Sequence, residues 1–472
     1  MFCKLSPEYA LRSWKNTDTV LLNLNTRQLA RLDLLSFLTL SRCDGATKCD
    51  PADKMLQGFL EKRIAVPCSH GDKIDKRQEF LAYSNEYFPI VQWAITNRCN
   101  YLCKHCFMAS SAQSDTAEPT HAQCMDIIGQ LAECGIMNAY ITGGEPLLRG
   151  DFLNIVDTLT KRGINIDIIS TNGLLVNEAL LAKIESRDLR PAFTVSFDGE
   201  GCHDWLRGYA GAEEASIRAI KLIAARGFPV IMEMAVHKGN AGAVEKTAEL
   251  AHSLGVNVFK TIRVADSPRW KEMGKDHNLT IEEYYGTSLE VLKAHTRRKW
   301  RMDMKLIGFA YYYHASGRCD ILPMKGLESD TDDTVLCRKA RSILFISGDG
   351  RLLPCNPFNG ITSGKEDWGN VFKTPLRDLL TDSAYLGRVN ARVQDLKESN
   401  EKCRECRWFK YCLGGCRACA YADSRDYLAA DPTKCAFFMG GYADRIRDIV
   451  GSSNCTEDFG PVNLPVEGCI AS

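Results

Sequence analysis

Between residues 89 and about 310, short apolar runs alternate with segments whose apolar residues recur at helical intervals. The short runs read as buried strands and the periodic segments as amphipathic helices. Strands are predicted over residues 90–96, 139–142, 164–170, 192–197, 230–237 and 256–265. Helices are predicted over 120–134, 151–162, 177–185, 213–226, 241–254 and 280–297, the first with Thr120 as its N-cap. Such an alternation implies a parallel sheet, closed or partly closed into a barrel. Upstream, residues 19–26 read as a strand followed by a turn. Residues 29–40 and 51–64 read as helices, with Gly45 after the first and Pro51 in the first turn of the second. Residues 1–70 thus form a small winged-helix-like α+β unit, and the polar stretch 71–88 reads as a linker.

The turns after the first four strands carry the candidate chemistry. After the first comes Thr96-Asn-Arg-Cys99-Asn-Tyr-Leu-Cys103-Lys-His-Cys106. After the next three come Gly143-Gly-Glu-Pro146, Thr171-Asn-Gly173 and Asp198-Gly199. In a parallel barrel these strand ends share one face, where sites are built. Three thiolates in one tight loop leave a coordination position open. A structural zinc ion takes four protein ligands, whereas a four-iron cluster on three thiolates keeps one iron free. The spacing alone leaves both readings standing. His105 reads as a solvated loop histidine.

A chain of 472 residues exceeds one compact core, so two or three domains are expected. Lys+Arg and Asp+Glu are both 59, which argues against a nucleic-acid or membrane-surface binder. The N-terminal unit itself has ten basic and seven acidic residues up to Arg63, no footprint for DNA. No apolar run is long enough to span a bilayer, and the first residues reach charge too early for a secretory signal. A cytoplasmic location is expected, and there 21 cysteines are not a disulfide framework. Isolated ones such as Cys124, Cys134 and Cys202 suit buried packing, as do Cys43, Cys49 and Cys68.

With these turns in place, residues 90 to about 265 resemble a radical S-adenosylmethionine (SAM) enzyme. The resemblance implies a partial (β/α)6 TIM-like barrel over 89–310. It implies a [4Fe-4S] cluster on Cys99, Cys103 and Cys106, with SAM on the open iron. Gly143, Gly144 and Glu145 would present backbone to the SAM amine. Ser170 and Asn172 would contact its ribose or carboxylate region, and Ser196 and Asp198 hold the matching place on the fourth strand. Arg207 would clamp the SAM carboxylate, a role suited to a guanidinium fork. No protein acid or base is assigned, because the cofactor supplies a radical that abstracts hydrogen from carbon.

The C-terminal cysteines run Cys337-x12-Gly350-x4-Cys355, then Cys403-x2-Cys406-x5-Cys412-x3-Cys416, then Cys435. Paired C-x2-C spacing is also that of a zinc ribbon, but seven cysteines suit two clusters better than one ion. The pattern over 311–450 resembles the SPASM extension of radical SAM enzymes, which implies two auxiliary [4Fe-4S] clusters, three clusters in all. By that resemblance Cys337, Cys355 and Cys416 hold the inner cluster, with Cys319 as its expected fourth ligand. Cys403, Cys406, Cys412 and Cys435 hold the outer one. Cys419 is expected to be structural, and no role falls to Cys455 or Cys469 in the 451–472 tail. Sulfatase-maturing relatives carry an aspartate after the second cysteine; here Asn356 follows Cys355, and an amide takes no proton at neutral pH.

The N-terminal unit resembles the PqqD-like element that recognises leader peptides in peptide maturases. The whole is similar to thioether-forming sactipeptide and ranthipeptide enzymes. Their activity implies a cysteine-containing precursor peptide whose leader adds to a sheet edge, and a flavodoxin- or ferredoxin-like electron donor. Carbon–carbon or carbon–oxygen crosslinking, epimerisation and sulfatase-type maturation are the neighbouring reactions. A non-catalytic, zinc-stabilised winged-helix regulator is the reading from another class.

Overall fold

The computed structural model describes residues 1–456 except 109, 111, 113–117, 266, 274, 363–365 and 367. Most of the expected tail, Cys469 included, therefore lies outside the described residues.

The N-terminal unit contains seven strands: β1 (Phe2–Leu5), β2 (Tyr9–Trp14), β3 (Thr17–Asn23), β4 (Leu29–Arg31), β5 (Asp44–Lys48), β6 (Ala65–Cys68) and β7 (Leu81–Tyr83). They form one sheet in the order β5-β1-β6 and another in the order β4-β3-β2-β7. The first helix, Leu34–Ser41, begins later than the apolar spacing suggested. Residues 29–31 pair with β3 instead, and Asp33 caps the helix by accepting from the Ser36 amide. Asp53 caps the second helix, Lys54–Glu61, in the same way. The stretch 71–88, expected as a linker, is built into this unit. β7 pairs parallel with β2. The buried Arg12 guanidinium donates to the carbonyls of Arg77 and Glu79, and the buried Gln78 amide donates to those of Leu5, Ser6 and Tyr9.

The unit docks on the central domain through Trp14. Its indole N–H donates to the carbonyl of Cys134 at 3.1 Å, and its ring packs on Tyr83 and Tyr87. Gly135 permits this approach: it has φ +72°, and a Cβ there would sit 2.7 Å from the Trp14 Nε1.

The central domain holds β8 (Ile90–Ala94), β9 (Asn138–Thr142), β10 (Asn165–Thr171), β11 (Ala192–Ser196), β12 (Val230–Val236), β13 (Val258–Arg263) and β14 (Asp303–Leu306). Each is parallel to its neighbour, so all six expected strands are present and β14 is a seventh. Helix His121–Glu133 carries the expected Thr120 cap, completed by Gln123 into a capping box. Along β11 and β12, Phe193, Val195, Val230, Met232 and Met234 are buried, and they pack with Ala219, Ile220, Ile223, Ala248 and Ala251 of the covering helices. The alternate positions, such as Thr194, Ser196 and Glu233, are half-buried on the opposite, concave face.

The sheet continues past the expected boundary at 310. β15 (Ala310–Tyr312) and β16 (Cys319–Ile321) extend it antiparallel from β14, and β19 (Cys455–Thr456) adds to β16. At the other edge β17 (Ile343–Ile346) pairs parallel with β8, and β18 (Leu352–Leu353) pairs with β17. Both edges of the parallel sheet are thus covered by the C-terminal region. No helix among the described residues is long and apolar enough to cross a membrane.

Candidate cofactor and cluster sites

The cysteine loop leaves β8 and is held from two sides. From below, the Gly-Gly-Glu turn hydrogen-bonds to it: Gly144 N donates to Thr96 O and Glu145 N to Arg98 O, both at 2.8 Å. A Cβ on Gly143 would meet Thr96 O at 2.5 Å, and one on Gly144 would meet Arg98 O at 2.1 Å. These glycines let two turns pack backbone to backbone. From the other side, Lys104 N donates to Leu206 O at 2.9 Å. Gly208, at φ +62°, ends the helix His203–Arg207 against Leu102.

Around the three thiols lie side chains from four strand ends. Cys99 is buried; Cys103 and Cys106 are half-buried. Asn172 Nδ2 reaches Asn100 Oδ1 at 2.6 Å and stands 4.0 Å from Cys99 Sγ. Arg207 Nη1 stands 4.0 Å from Cys103 Sγ. Burial pushes the Cys99 thiol up to about 12, so cations or a metal are needed to hold thiolates here. His105 is not the solvated residue expected. Its Nδ1 is buried with no hydrogen-bond partner among the described residues, and burial pulls its basicity down to about 3. Ser170 and Ser196 are half-buried near the C-terminal ends of β10 and β11.

Two expected cofactor contacts have their side chains engaged within the protein. The Glu145 carboxylate is fully buried and accepts from Leu147 N, Thr171 Oγ1 and Asn172 N at 3.1, 2.9 and 2.7 Å. It ties the end of β9 to the end of β10, and burial raises it to about 7. Asp198 is also fully buried. Its Oδ2 accepts from Arg207 Nε at 2.6 Å, and its Oδ1 from Arg207 Nη2 at 3.1 Å and Ala235 N at 2.9 Å. His203 joins it at 3.0 Å and reaches Ser216 Oγ at 3.1 Å. The adjacent guanidinium and imidazole hold the Asp198 carboxyl far below its usual range against the cost of burial. Asp198 therefore positions Arg207, whose Nη1 remains aimed at Cys103. His203 and Asn240, whose Nδ2 donates to Asp198 O at 3.0 Å, escaped the sequence reading. Neither carries a ligand-like spacing, and their contact with Asp198 exists only in the folded sheet.

The C-terminal cysteines fall into two groups. Cys403, Cys406, Cys412 and Cys435 line one pocket together with Trp408 and Phe438. In the other group, Cys355 interacts with Cys416 and Cys337. Cys319 is not part of it. That residue is buried in β16, where its thiol meets that of Cys455, its register partner in β19. The thiol that touches Cys416 is Cys419, three residues on in the helix Arg417–Ser424. Their hydrogen bond pushes Cys416 down and Cys419 up. Asp431, unremarked in the sequence, links the groups. It accepts from Cys416 N at 2.8 Å and caps the helix Pro432–Met439 that carries Cys435. Among the described residues no three His, Cys, Asp or Glu side chains converge as ligands of a single ion. The wider thiol sets suit polynuclear clusters.

Residues 93–251 match the Radical SAM superfamily, and residues 337–407 match the SPASM iron–sulfur cluster-binding domain. The chain carries a radical SAM domain and a SPASM domain. Its cofactors are SAM and iron–sulfur clusters. An AdoMet-dependent heme synthase of Methanosarcina barkeri is 28% identical over 73% of this chain and 95% of its own length. The mycofactocin maturase MftC of Mycobacterium ulcerans is 27% identical over 72% of this chain and 86% of its own length. Among solved structures, Streptococcus suis SuiB bound to S-adenosylmethionine superposes with a TM-score of 0.64 at 16% identity, covering 92% of this chain and 99% of SuiB. SuiB has also been solved bound to its precursor peptide SuiA. The partial barrel and SPASM region expected from the strand-end turns and cysteine spacing are therefore those of this radical SAM fold.

Proposed function

We propose that this chain is a peptide maturase that forms intramolecular thioether crosslinks in a cysteine-containing precursor peptide. The observation that carries the peptide substrate is the N-terminal unit, tied to the barrel through Trp14 and bearing an uncovered apolar face. On its helix Leu34–Ser41, Leu34 and Leu35 are 70% and 66% exposed, and Phe80 and Leu81 are exposed as well. Phe37 and Phe80, 5.1 Å apart, join the two segments. A leader peptide has a sheet edge and an apolar face to bind here.

Within the barrel, Cys99, Cys103 and Cys106 hold the SAM-binding cluster, and Asn172 and Arg207 neighbour its sulfurs. The glycines at 143 and 144 keep the loop pressed on the strand ends. Ser170 and Ser196 line the adjoining concave face. Bound there, the cluster and SAM supply a carbon radical able to take hydrogen from an unactivated C–H bond. Cys403, Cys406, Cys412 and Cys435 hold an outer cluster in their shared pocket. Cys337, Cys355 and Cys416 hold an inner one, with Cys419 as its fourth thiol. The contact of Cys419 with Cys416 and their C-x2-C spacing support that ligand. Each crosslink removes two hydrogens from the peptide: one would leave as an atom taken by the radical, and the thiol proton and one electron would be released, the electron to an auxiliary cluster, while a flavodoxin- or ferredoxin-like partner would donate the electron that cleaves SAM.

Co-expression with a small cysteine-containing peptide encoded beside this chain tests the reading. Mass spectrometry should show loss of two hydrogens per crosslink, and alkylation should find one fewer free thiol for each. An unchanged mass defeats the maturase reading; loss of hydrogens with every thiol still alkylated replaces the thioether by a carbon–carbon bond.

A further inference from the structure

One register row of side chains crosses the concave face of the sheet. Ser196 of β11 pairs with Glu233 of β12, Glu233 with Lys260 of β13, Lys260 with Lys305 of β14, and Lys305 with Tyr311 of β15. Residues in register on adjacent strands share a face. The row therefore runs from the expected SAM position at Ser196 across the concave face. Strands lie about 4.8 Å apart, so Lys305 stands roughly 14 Å from Ser196.

Charge along this row is unbalanced. Lys260 and Glu233 form a close ion pair. Lys305 has no carboxylate partner among the described residues; its Nζ lies 5.1 Å from the centre of the Tyr311 ring. Lys339 brings a third ammonium into the same space. It follows Cys337 on the short helix Arg338–Ser342, and it interacts with Lys260, Lys305, Cys337 and Cys355. Burial, reinforced by Lys260 and Lys339, pulls Lys305 down to about 8. Lys339 itself is exposed to solvent. Among the described residues Glu233 is the carboxylate that these ammonium groups meet, and an entering anion would offset the cost of confining them.

We propose that Lys305 and Lys339 bind a carboxylate of the substrate, seating it between the Ser196 end of the row and the inner cysteine group. The inference rests on the concave face being the substrate chamber, and it names the substrate class: a peptide with Asp, Glu or its free C-terminus beside the reacting carbon. A carboxylated macrocycle offers the same chemistry, and the test separates the two sources.

The experiment uses the cluster-reconstituted holoenzyme with SAM and a random-sequence peptide display library. Wild-type protein enriches acidic peptides, and methyl-esterifying an enriched peptide abolishes binding. Lys305→Met and Lys339→Met each weaken that peptide by at least about tenfold, the effect of one lost charge-assisted contact. Lys305→Arg recovers part of the loss. Iron content and SAM binding of the variants stay at wild-type level; if one variant fails that check, the other decides. Equal binding of acidic and esterified peptides, or acidic enrichment unchanged in the lysine variants, overturns the site. Coproporphyrin III is titrated in parallel. Lys305-dependent porphyrin binding without peptide enrichment keeps the carboxylate site and ends the peptide reading. Binding of neither probe to wild-type protein overturns the site.

Discussion

A Cβ on Gly144 would lie 2.1 Å from the carbonyl oxygen of Arg98, with backbone on both sides of the contact. No side chain can rotate away to relieve it. Gly144→Ala must therefore push the Gly-Gly-Glu turn off the cysteine loop, at a cost of about 1–3 kcal/mol. The expected result is a folded protein short of one cluster, read as about four fewer irons per chain, with the auxiliary clusters retained. The Gly-Gly pair was legible in the sequence because it punctuates a strand end. Its packing partner was not: the amides of Gly144 and Glu145 donate to Thr96 and Arg98 of the cysteine loop, a contact that exists only once the two turns are folded together. Asp198 teaches the same lesson. Its place after β11 was legible, but its role as the support of Arg207 depends on contacts from β12 and the His203 helix. Lys305 yields a pH prediction. Its ammonium titrates near 8 in the free protein, held down by burial and by Lys260 and Lys339, with Glu233 opposing. Above that pH it is neutral and loses its pull on a carboxylate. For an acidic peptide, kcat/KM should fall as pH rises through about 8, because that parameter reports the free enzyme. Lys305→Arg should move the fall to higher pH, since a guanidinium stays charged.

The helices and strands of the barrel were legible where one face meets a covering layer. There the apolar spacing records burial directly, as in the capped helix His121–Glu133. The N-terminal unit was harder. Residues 29–31 fit a helical pattern, yet they pair with β3, and Asp33 starts the helix after them. The stretch 71–88 looks like a linker because its main-chain partners, rather than apolar side chains, hold it: Arg12 and Gln78 do that work from a distance in sequence. The helix Leu34–Ser41 buries only Ser36 and Leu40, which leaves Leu34, Leu35 and Leu38 outward. Replacing Leu35 and Leu38 by Asp costs this helix little packing and removes the apolar face. Peptide modification should drop at least about tenfold, while SAM cleavage without peptide and thermal stability stay near wild type. Undiminished modification would separate this face from substrate capture.

Across the whole molecule, the cysteines show where chain order and spatial order diverge. Cys319 precedes Cys337 in the chain and so looked like the missing inner ligand. The extended sheet instead places it in β16 beside Cys455. Cys419 follows the seven-cysteine pattern and looked spare, yet one turn of helix sets it against Cys416. The two alternatives differ in a measurable way. Wild-type protein reconstituted anaerobically should hold about twelve irons. Cys319→Ala should keep them all, because its thiol meets Cys455 rather than the inner cysteine group. Cys419→Ser should alter the electron paramagnetic resonance spectrum of one auxiliary cluster or cost about four irons, leaving the SAM-binding cluster intact. Function should divide along the same line. Cys99→Ala, Cys103→Ala or Cys106→Ala should abolish SAM cleavage. Cys337→Ala or Cys403→Ala should still cleave SAM but leave the peptide uncrosslinked, because the one electron released as the new bond closes would have lost its exit. Full crosslinking by the Cys337 or Cys403 variants would mean that the SPASM region serves the fold rather than the reaction.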